Sequence, residues 1–314
     1  MRILITGGAG FIGSTYVRKV QAGLLAGVSN MKIVDNLTYA GNRKNLQKSD
    51  YEFFELDIRD TDRMLKIASD CDAVINFAAE SHVDRSILDP GSSFETNLMG
   101  TISILNVVQK LDIRFLQVST DEVYGSIPIG ASREIDPMLP NSPYAASKAS
   151  ADLACRSFFK TFGLNVTITR ACNNYGPNQY PEKIIPYFVM RLLQSKKIPL
   201  YGNGTNVREW IHVDDHCRAL HKALFSGKPG EIYNVTGAIG LSNLDLSHKI
   251  LAHFGLSDSS IEFVADRAGH DIRYSLDGSK IERELGFRAE IDFEEGLSST
   301  IEWYRNNQEF WKSN

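Results

Sequence analysis

The fold is decided by Arg2-Ile3-Leu4-Ile5-Thr6-Gly7-Gly8-Ala9-Gly10-Phe11-Ile12-Gly13, at the head of the chain. Ile3, Leu4 and Ile5 are apolar without alternation, which fits a short strand buried on both faces. A glycine turn follows, then a helix expected over roughly 14–23. Gly8, Gly10 and Gly13 carry the spacing G-x-G-x-x-G between strand and helix. A tight turn, close backbone approach to a pyrophosphate and close helix–strand contact each exclude a Cβ. The helix start then offers free N–H groups and a partial positive charge to phosphates.

Working outward, Lys32–Asp35 reads as a second strand, with Asp35 placed 22 residues after Gly13. A carboxylate there accepts both ribose hydroxyls of adenosine and repels a 2′-phosphate, so NAD is expected rather than NADP. Gly7, Phe11 and Ile12 in the turn are candidate cofactor contacts, as are Asn36, Leu37 and Thr38 after the acid. The pair Asp57 and Ile58 is a candidate for the adenosine side. Further apolar runs at 51–56, 73–77 and 115–119 alternate with helical stretches near 60–68 and 94–110. This alternation means βαβ units with right-handed crossovers. The expected fold is α/β, a Rossmann-type doubly wound parallel sheet with a smaller C-terminal substrate-binding lobe. Residues 1–170 form the nucleotide-binding domain, and later strands near 210–240 return to it. Residues 171–314 supply mainly the lobe. Residues 301–311 read as an aromatic helix packed on the core.

The bulk numbers exclude several classes. The 314 residues carry a net charge of −4 and no basic block, so nucleic acid is not an expected partner. No apolar run reaches the roughly 18 residues that span a bilayer. The first residues already read as a strand, so no signal peptide is expected. The four cysteines, Cys71, Cys155, Cys172 and Cys217, form no CxxC pair. Free thiols in a reducing cytoplasm are expected, not disulfides or a zinc site.

Two further motifs carry chemistry. Tyr144 and Lys148 lie four apart and share a helix face. A lysine ammonium and a positive nicotinamide ring would lower the phenol from its ordinary value of about 10, making Tyr144 a base for a sugar hydroxyl. Leu116-Gln117-Val118-Ser119 then places Ser119, Thr120, Asp121 and Glu122 at the carboxyl end of a central strand, where open α/β sheets bind ligands. Two adjacent carboxyls are expected to have their pKa values pushed apart, one kept as acid and one as base. An enzyme that only oxidises an alcohol has no use for that pair. Together the motifs suggest oxidation followed by loss of water.

Gly7–Gly13, Ala78-Ala79-Glu80-Ser81-His82-Val83-Asp84-Arg85, Ser119–Gly125 and Tyr144–Lys148 resemble the extended short-chain dehydrogenase/reductase superfamily. Within it, the chain resembles the dTDP-glucose 4,6-dehydratase family. The likeness continues through Asn173-Asn174-Tyr175-Gly176-Pro177, Pro181–Pro186, Arg208–His216 and Asp266–Asp271. The resemblance implies a redox-neutral lyase using dTDP-glucose and tightly bound NAD: oxidation at C4, water elimination across C5–C6, and hydride return to C6. It assigns Tyr144 with Lys148 to the O4 proton, Thr120 to O4, Glu122 to the C5 proton and Asp121 to the departing 6-hydroxyl. It adds Phe77, Ala78, Ala79, Ser81, Thr96, Ser119 and Asn174 to the cofactor site. It implies substrate contacts at Ser81, Thr120, Asn173, Lys183, Ile184, Pro199, Leu200, Tyr201, Arg208, Asn243, Asp266, Arg267 and His270. A homodimer through the helices near 94–110 and 144–162 is implied as well.

Three rivals stay open at the level of sequence: a nucleotide-sugar 4-epimerase, which would not need Asp121 and Glu122; a dehydratase of a UDP-, GDP- or CDP-sugar; and a non-catalytic NAD-binding regulator. His212, Asp214, Asp215 and His216 could be read as a metal cluster. Asp214 reads better as a helix-start residue, and no metal is expected.

Overall fold

The computed structural model describes residues 1–46, 51–237 and 239–312. Seven strands form one parallel sheet in the order β3-β2-β1-β4-β5-β6-β10. They are β1 (Arg2–Thr6), β2 (Asn30–Asp35), β3 (Glu52–Glu55), β4 (Ala73–Asn76), β5 (Arg114–Thr120), β6 (Val166–Ala171) and β10 (Ile232–Val235). The order reverses between β1 and β4, the switch point at whose carboxyl ends a crevice opens. Alternation within β1 divides the core. Ile3 and Ile5 pack with the helices Phe11–Gln21 and Val213–Ser226 on one face, whereas Leu4 joins Thr61–Ala68 and Gly100–Leu111 on the other. Because the sheet is covered on both faces, its strands read as apolar runs rather than alternating ones.

After β6 the chain builds a lobe. β7 (Asn173–Tyr175) and β11 (Ile239–Ser242) flank β9 (Val207–His212), and β8 (Ile198–Tyr201) pairs with β12 (Ile261–Val264). A separate core of Phe188, Leu200, Trp210, Leu246, Leu297 and Tyr304 holds these strands to the helices Ile184–Leu193, Asn243–His253 and Phe293–Asn306. The helix Val213–Ser226 and β10 leave the lobe and close on the main sheet, β10 pairing with β6 in parallel from Ile232↔Ile168.

Two expected helices are interrupted. The stretch near 94–110 contains a π-helical turn, Glu95–Met99, before Gly100–Leu111. The apolar period hides one extra residue, and such turns collect at functional sites. The C-terminal helix is Phe293–Asn306 followed by Gln308–Lys312. The break lets Trp311 fold back, its indole N–H donating to the Tyr304 carbonyl at 3.1 Å.

Behind the central strands lies an ion pair, Arg170 Nε to Asp152 Oδ2 at 2.9 Å, with side chains 3% and 1% exposed. Arg170 also stacks over Tyr124, 4.8 Å from the ring centroid. Removing one partner strands the other charge in a dry core, and that costs more than the intact pair contributes. Arg170→Met should therefore lower unfolding free energy by about 3–5 kcal/mol in urea titrations. A loss within experimental error would show that Asp152 takes up a proton or reaches water when its partner is gone.

Candidate active site

The glycine turn is built around close contacts. Gly7 has φ +67°, and a Cβ there would lie 2.5 Å from the Ala78 nitrogen. A Cβ on Gly13 would lie 2.4 Å from the Gly7 oxygen. Gly8 is different: its missing Cβ makes room for Ile33, 2.6 Å away. The residue that turns the chain is thus Gly7, and the working spacing is Gly7, Gly10, Gly13 rather than one starting at Gly8. Two adjacent glycines made the register ambiguous in sequence. Gly10 begins the helix without any side-chain cap, which leaves first-turn N–H groups open to an anion.

Asp35 ends β2 and is buried. Its Oδ2 accepts from Ala9 N and its Oδ1 from Leu37 N, both at 2.8 Å. Burial pushes its pKa up, and the two amide bonds oppose that shift. Each oxygen keeps a lone pair, so the acid that braces the glycine turn can also receive ribose hydroxyls. A phosphate-sized turn, an uncapped helix start and this acid together fit NAD. Of the other candidates on this side, Asp57 is gripped by Arg59, with Oδ2 to Nη2 at 2.7 Å, and that contact lowers its pKa. Ile58 lies in the core, where Gly100 leaves room for its Cδ1. Asn36 reaches Asp57 at 3.5 Å, while Leu37 and Thr38 lead into the loop that follows.

Phe77, Ala78 and Ala79 follow β4 and form the far wall of the crevice. Phe77 stacks on Tyr16, with ring centroids 5.9 Å apart. Their loop is fixed by Asn97, which the sequence reading missed. Its carboxamide accepts from Glu80 N and donates to Glu80 O, each at 2.9 Å, and donates to Ser147 Oγ at 2.8 Å. Asn97 sits in the π-helical turn beside Thr96, so the turn gives this carboxamide its reach. Ser86 was missed too. Its hydroxyl accepts from Tyr144 N at 3.1 Å and so holds the start of the helix Pro143–Phe162.

β5 ends at Thr120, which caps a 3₁₀ turn, Asp121–Tyr124. Pairing of Ser119 with Arg170 and Thr120 with Ala171 sets these residues level with the end of β6. Thr120 Oγ1 bonds Asp121 Oδ1 at 3.0 Å. Asp121 Oδ2 and Ser119 Oγ are buried without a protein partner, as befits atoms that face a ligand. Burial first, and Glu122 second, push Asp121 up to about 8. Burial also raises Glu122, but Arg267, Arg208 and Lys183 pull it back. Both carboxyls are raised by burial, but the three cations oppose the shift more strongly at Glu122, while at Asp121 only Thr120 and Arg208 oppose it.

The protein groups around the Tyr144 phenol act on it as follows, before any nicotinamide charge is added. Burial, then Glu122 and Asp121, raise its pKa, and Thr120 opposes the rise. Burial is the largest cause, and the two carboxyls that add to it come from the turn after β5, not from the helix that carries Lys148. Lys148 donates to the Val118 carbonyl at 2.6 Å. Burial lowers its pKa, with Asp152 and Cys155 acting the other way.

The lobe brings basic groups to the same cleft. Arg208 stacks over Tyr274 at 4.2 Å and donates to the carbonyls of Val207 and Asp271. Lys183 donates to the Ser81 carbonyl at 2.7 Å and precedes Ile184, the first residue of its helix. Arg267 pairs with Asp84 at 3.5 Å, and Tyr201 reaches the same carboxyl at 3.4 Å. His270 bonds Asp266 at 2.6 Å. Pro199 and Tyr201 share one face of β8, whereas Leu200 points into the lobe core. Asn243 starts a helix, its N–H donating to Asn206 O at 3.0 Å. Asn173 pairs with Trp210 across β7 and β9.

Asn174 is held by His216, whose Nδ1 lies 2.8 Å from its Oδ1, and by its own bond to the Cys172 carbonyl. Burial drops His216 to about 3, so it is a neutral ring. The apparent metal cluster is dispersed among other partners. His212 caps Asp214 N, Asp214 pairs with Lys19, and Asp215 holds Arg218 and the amides of Glu290 and Ile291.

Comparison with known proteins finds relatives over the full length of the chain. The family profile described as GDP-mannose 4,6 dehydratase matches residues 4–300. A dTDP-glucose 4,6-dehydratase of Streptomyces niveus is 47% identical over 99% of this chain and 95% of its own. The solved dTDP-glucose 4,6-dehydratase of Streptomyces venezuelae, with NAD and dTDP bound, superposes with a TM-score of 0.98 at 50% identity, covering 100% of this chain and 99% of the other. The UDP-glucose 4-epimerase of Thermotoga maritima reaches a TM-score of 0.91 at 31% identity, covering 98% of this chain and 100% of the other. The first two agree over the full length, and the chain belongs to the dTDP-glucose 4,6-dehydratase family.

Proposed function

We propose that this protein converts dTDP-glucose to dTDP-4-keto-6-deoxyglucose with NAD as a resident cofactor. The observation that carries the reading is the buried Asp121 beside a cation-flanked Glu122 at the end of β5, next to Tyr144. An epimerase shares the fold and the tyrosine but has no step that expels water. When bound, NAD accepts the C4 hydride and later returns it to C6.

Tyr144 takes the O4 proton, and Lys148 with the cofactor's charge supplies the stabilisation that the neighbouring carboxyls withhold. Thr120 holds O4 in line. The resulting ketone acidifies C5–H. Glu122 then removes that proton, and Asp121 gives its own to the departing 6-hydroxyl, so one water leaves. As C6 receives the returning hydride, Glu122 gives its proton back to C5, and Tyr144 and Asp121 recover their starting protonation through solvent before the next turnover. Lys183 and Arg208 suit the diphosphate, Lys as a point charge and Arg as a planar fork. Asn173, Asn243 and the segment from Asp266 to His270 complete the nucleotide side.

The four buried free cysteines fit a reducing compartment, and we place the protein in the cytoplasm. We assign it as a homodimer. Leu88, Met99 and Leu153 stand 86%, 52% and 53% exposed on adjoining helical segments, an apolar face that a second copy would cover.

Incubation with dTDP-glucose and no added reductant should yield a product lighter by one water. An unchanged mass with inverted C4 would make the protein an epimerase. Asp121→Asn should slow elimination by about 10²–10⁴-fold while leaving the first hydride transfer largely intact. Equal loss in both steps in rapid-quench runs would remove Asp121 from the acid role.

The same substitution has a stability signature. Asp121 titrates at about 8, so from about pH 4 to 8 the fold holds a proton that the unfolded chain has lost. Parent stability therefore falls as pH rises through that window. The melting temperature of Asp121→Asn relative to the parent should climb between pH 5 and pH 9. A constant difference would mean that Asp121 is ionised throughout. Finally, Leu153→Glu should give a monomer by light scattering, and an unaltered dimer would place the interface elsewhere.

A further inference from the structure

Tyr39 lies outside every role given so far, yet it joins three ligand-facing segments. It stands on the loop after Asp35, and that loop is laced to the glycine turn through Ala9. Asn42 N and Asn45 Nδ2 both donate to the Ala9 carbonyl, at 3.1 and 2.9 Å. The Arg85 guanidinium lies 3.8 Å from the centre of the Tyr39 ring, and Tyr180 meets the ring edge-on at 5.5 Å. The Tyr39 hydroxyl interacts with the side chains of Ser81 and Glu182. Glu182 in turn accepts from Arg85 Nε at 3.1 Å, and the next residue, Lys183, donates to the Ser81 carbonyl at 2.7 Å. A ring of contacts thus runs from the cofactor loop, through Tyr39, to the segment that carries the diphosphate cation Lys183.

We propose that Tyr39 is a latch coupling the two sites: a nucleoside diphosphate held at Lys183 fixes Glu182 and Tyr180 against Tyr39 and thereby slows release of NAD. The inference rests on the reading that this cleft takes NAD and a dTDP-sugar. The mechanical argument is that the loop bearing Tyr39 is anchored at its base on the turn that cradles pyrophosphate. Among the described residues, Tyr39 at its tip meets Arg85, Ser81, Tyr180 and Glu182. Cation–π and edge-on ring contacts are each modest and partly exposed here, so the latch opens and closes rather than sealing the site. Ordering of one partner lowers the cost of ordering the other, and the coupling is reciprocal. A cofactor regenerated in every turnover gains from a device that holds it while sugar is present.

The test uses holoenzyme loaded with labelled NAD and chased with unlabelled NAD, with and without saturating dTDP. In the parent, dTDP should slow label release about fivefold or more. Tyr39→Ala should abolish that effect, and Tyr39→Phe, which keeps the stacking and loses the hydroxyl, should weaken it. Glu182→Gln approaches the latch from the other side and should weaken it too, which covers the case of Tyr39→Ala failing to fold. Binding of dTDP, followed by calorimetry, separates the failures. If dTDP binds but release is unchanged in the parent, or slowed equally in all variants, the latch is wrong and the site reading stands. If dTDP does not bind, both fall.

Discussion

Desolvation of Asp121 is the constraint to which the rest of the cleft is fitted. A carboxyl at the end of an interior strand, 2% exposed, with one side-chain bond, from Thr120, is costly to ionise. It stays protonated near neutral pH, which is what donation to a poor leaving group requires. Glu122 shares the burial but not the outcome, because Arg267, Arg208 and Lys183 arrive from the lobe. The lobe therefore does more than bind a nucleotide. Its cations give two chemically similar, buried acids different electrostatic surroundings. Without them, the like charges of the pair would oppose each other and Tyr144 alike.

That division explains why fold alone does not distinguish the reactions. The UDP-glucose 4-epimerase of Thermotoga maritima superposes over nearly the whole chain. One architecture thus serves proteins named for two different activities. What differs is whether a proton donor and an acceptor flank C5 and C6. Here the 3₁₀ turn capped by Thr120 sets two carboxyls in succession at the end of β5.

The parts of this architecture legible in sequence were those whose physics is local. Ile3, Leu4 and Ile5 announce a buried strand, and glycines before a helix announce a phosphate turn. Asp35 follows from spacing, and Thr120–Glu122 from their place after an apolar run. Less legible were features that depend on what lies across a gap. Gly8 has the spacing of a turning glycine, but its missing Cβ serves Ile33 instead. Leu200 and Ile58 lie in motif stretches, yet alternation and packing turn their side chains into cores. Asn97 and the π-helical turn beneath it were invisible to an apolar period that averages over single insertions. The raised Tyr144 value was missed for a similar reason. Spacing along one helix reveals Lys148 but neither the depth of burial nor the carboxyls arriving from another element.

The two sides of the site are held by different kinds of interaction. Behind it, the Arg170–Asp152 pair is buried and stacked on Tyr124, whose hydroxyl is bound to Asn234 of β10 at 2.9 Å. Such a network has one low-energy arrangement and fixes the helix that carries Tyr144 and Lys148. In front, the contacts among Tyr39, Arg85, Tyr180, Tyr201 and Asp84 are longer, partly solvated and individually weak. A redox-neutral cycle needs both. The hydride must leave and return along the same line, which calls for a rigid rear wall. The sugar nucleotide must enter and leave while the cofactor stays, which calls for a front that can open in part. The gradient from buried pair to exposed stack supplies that asymmetry within one chain.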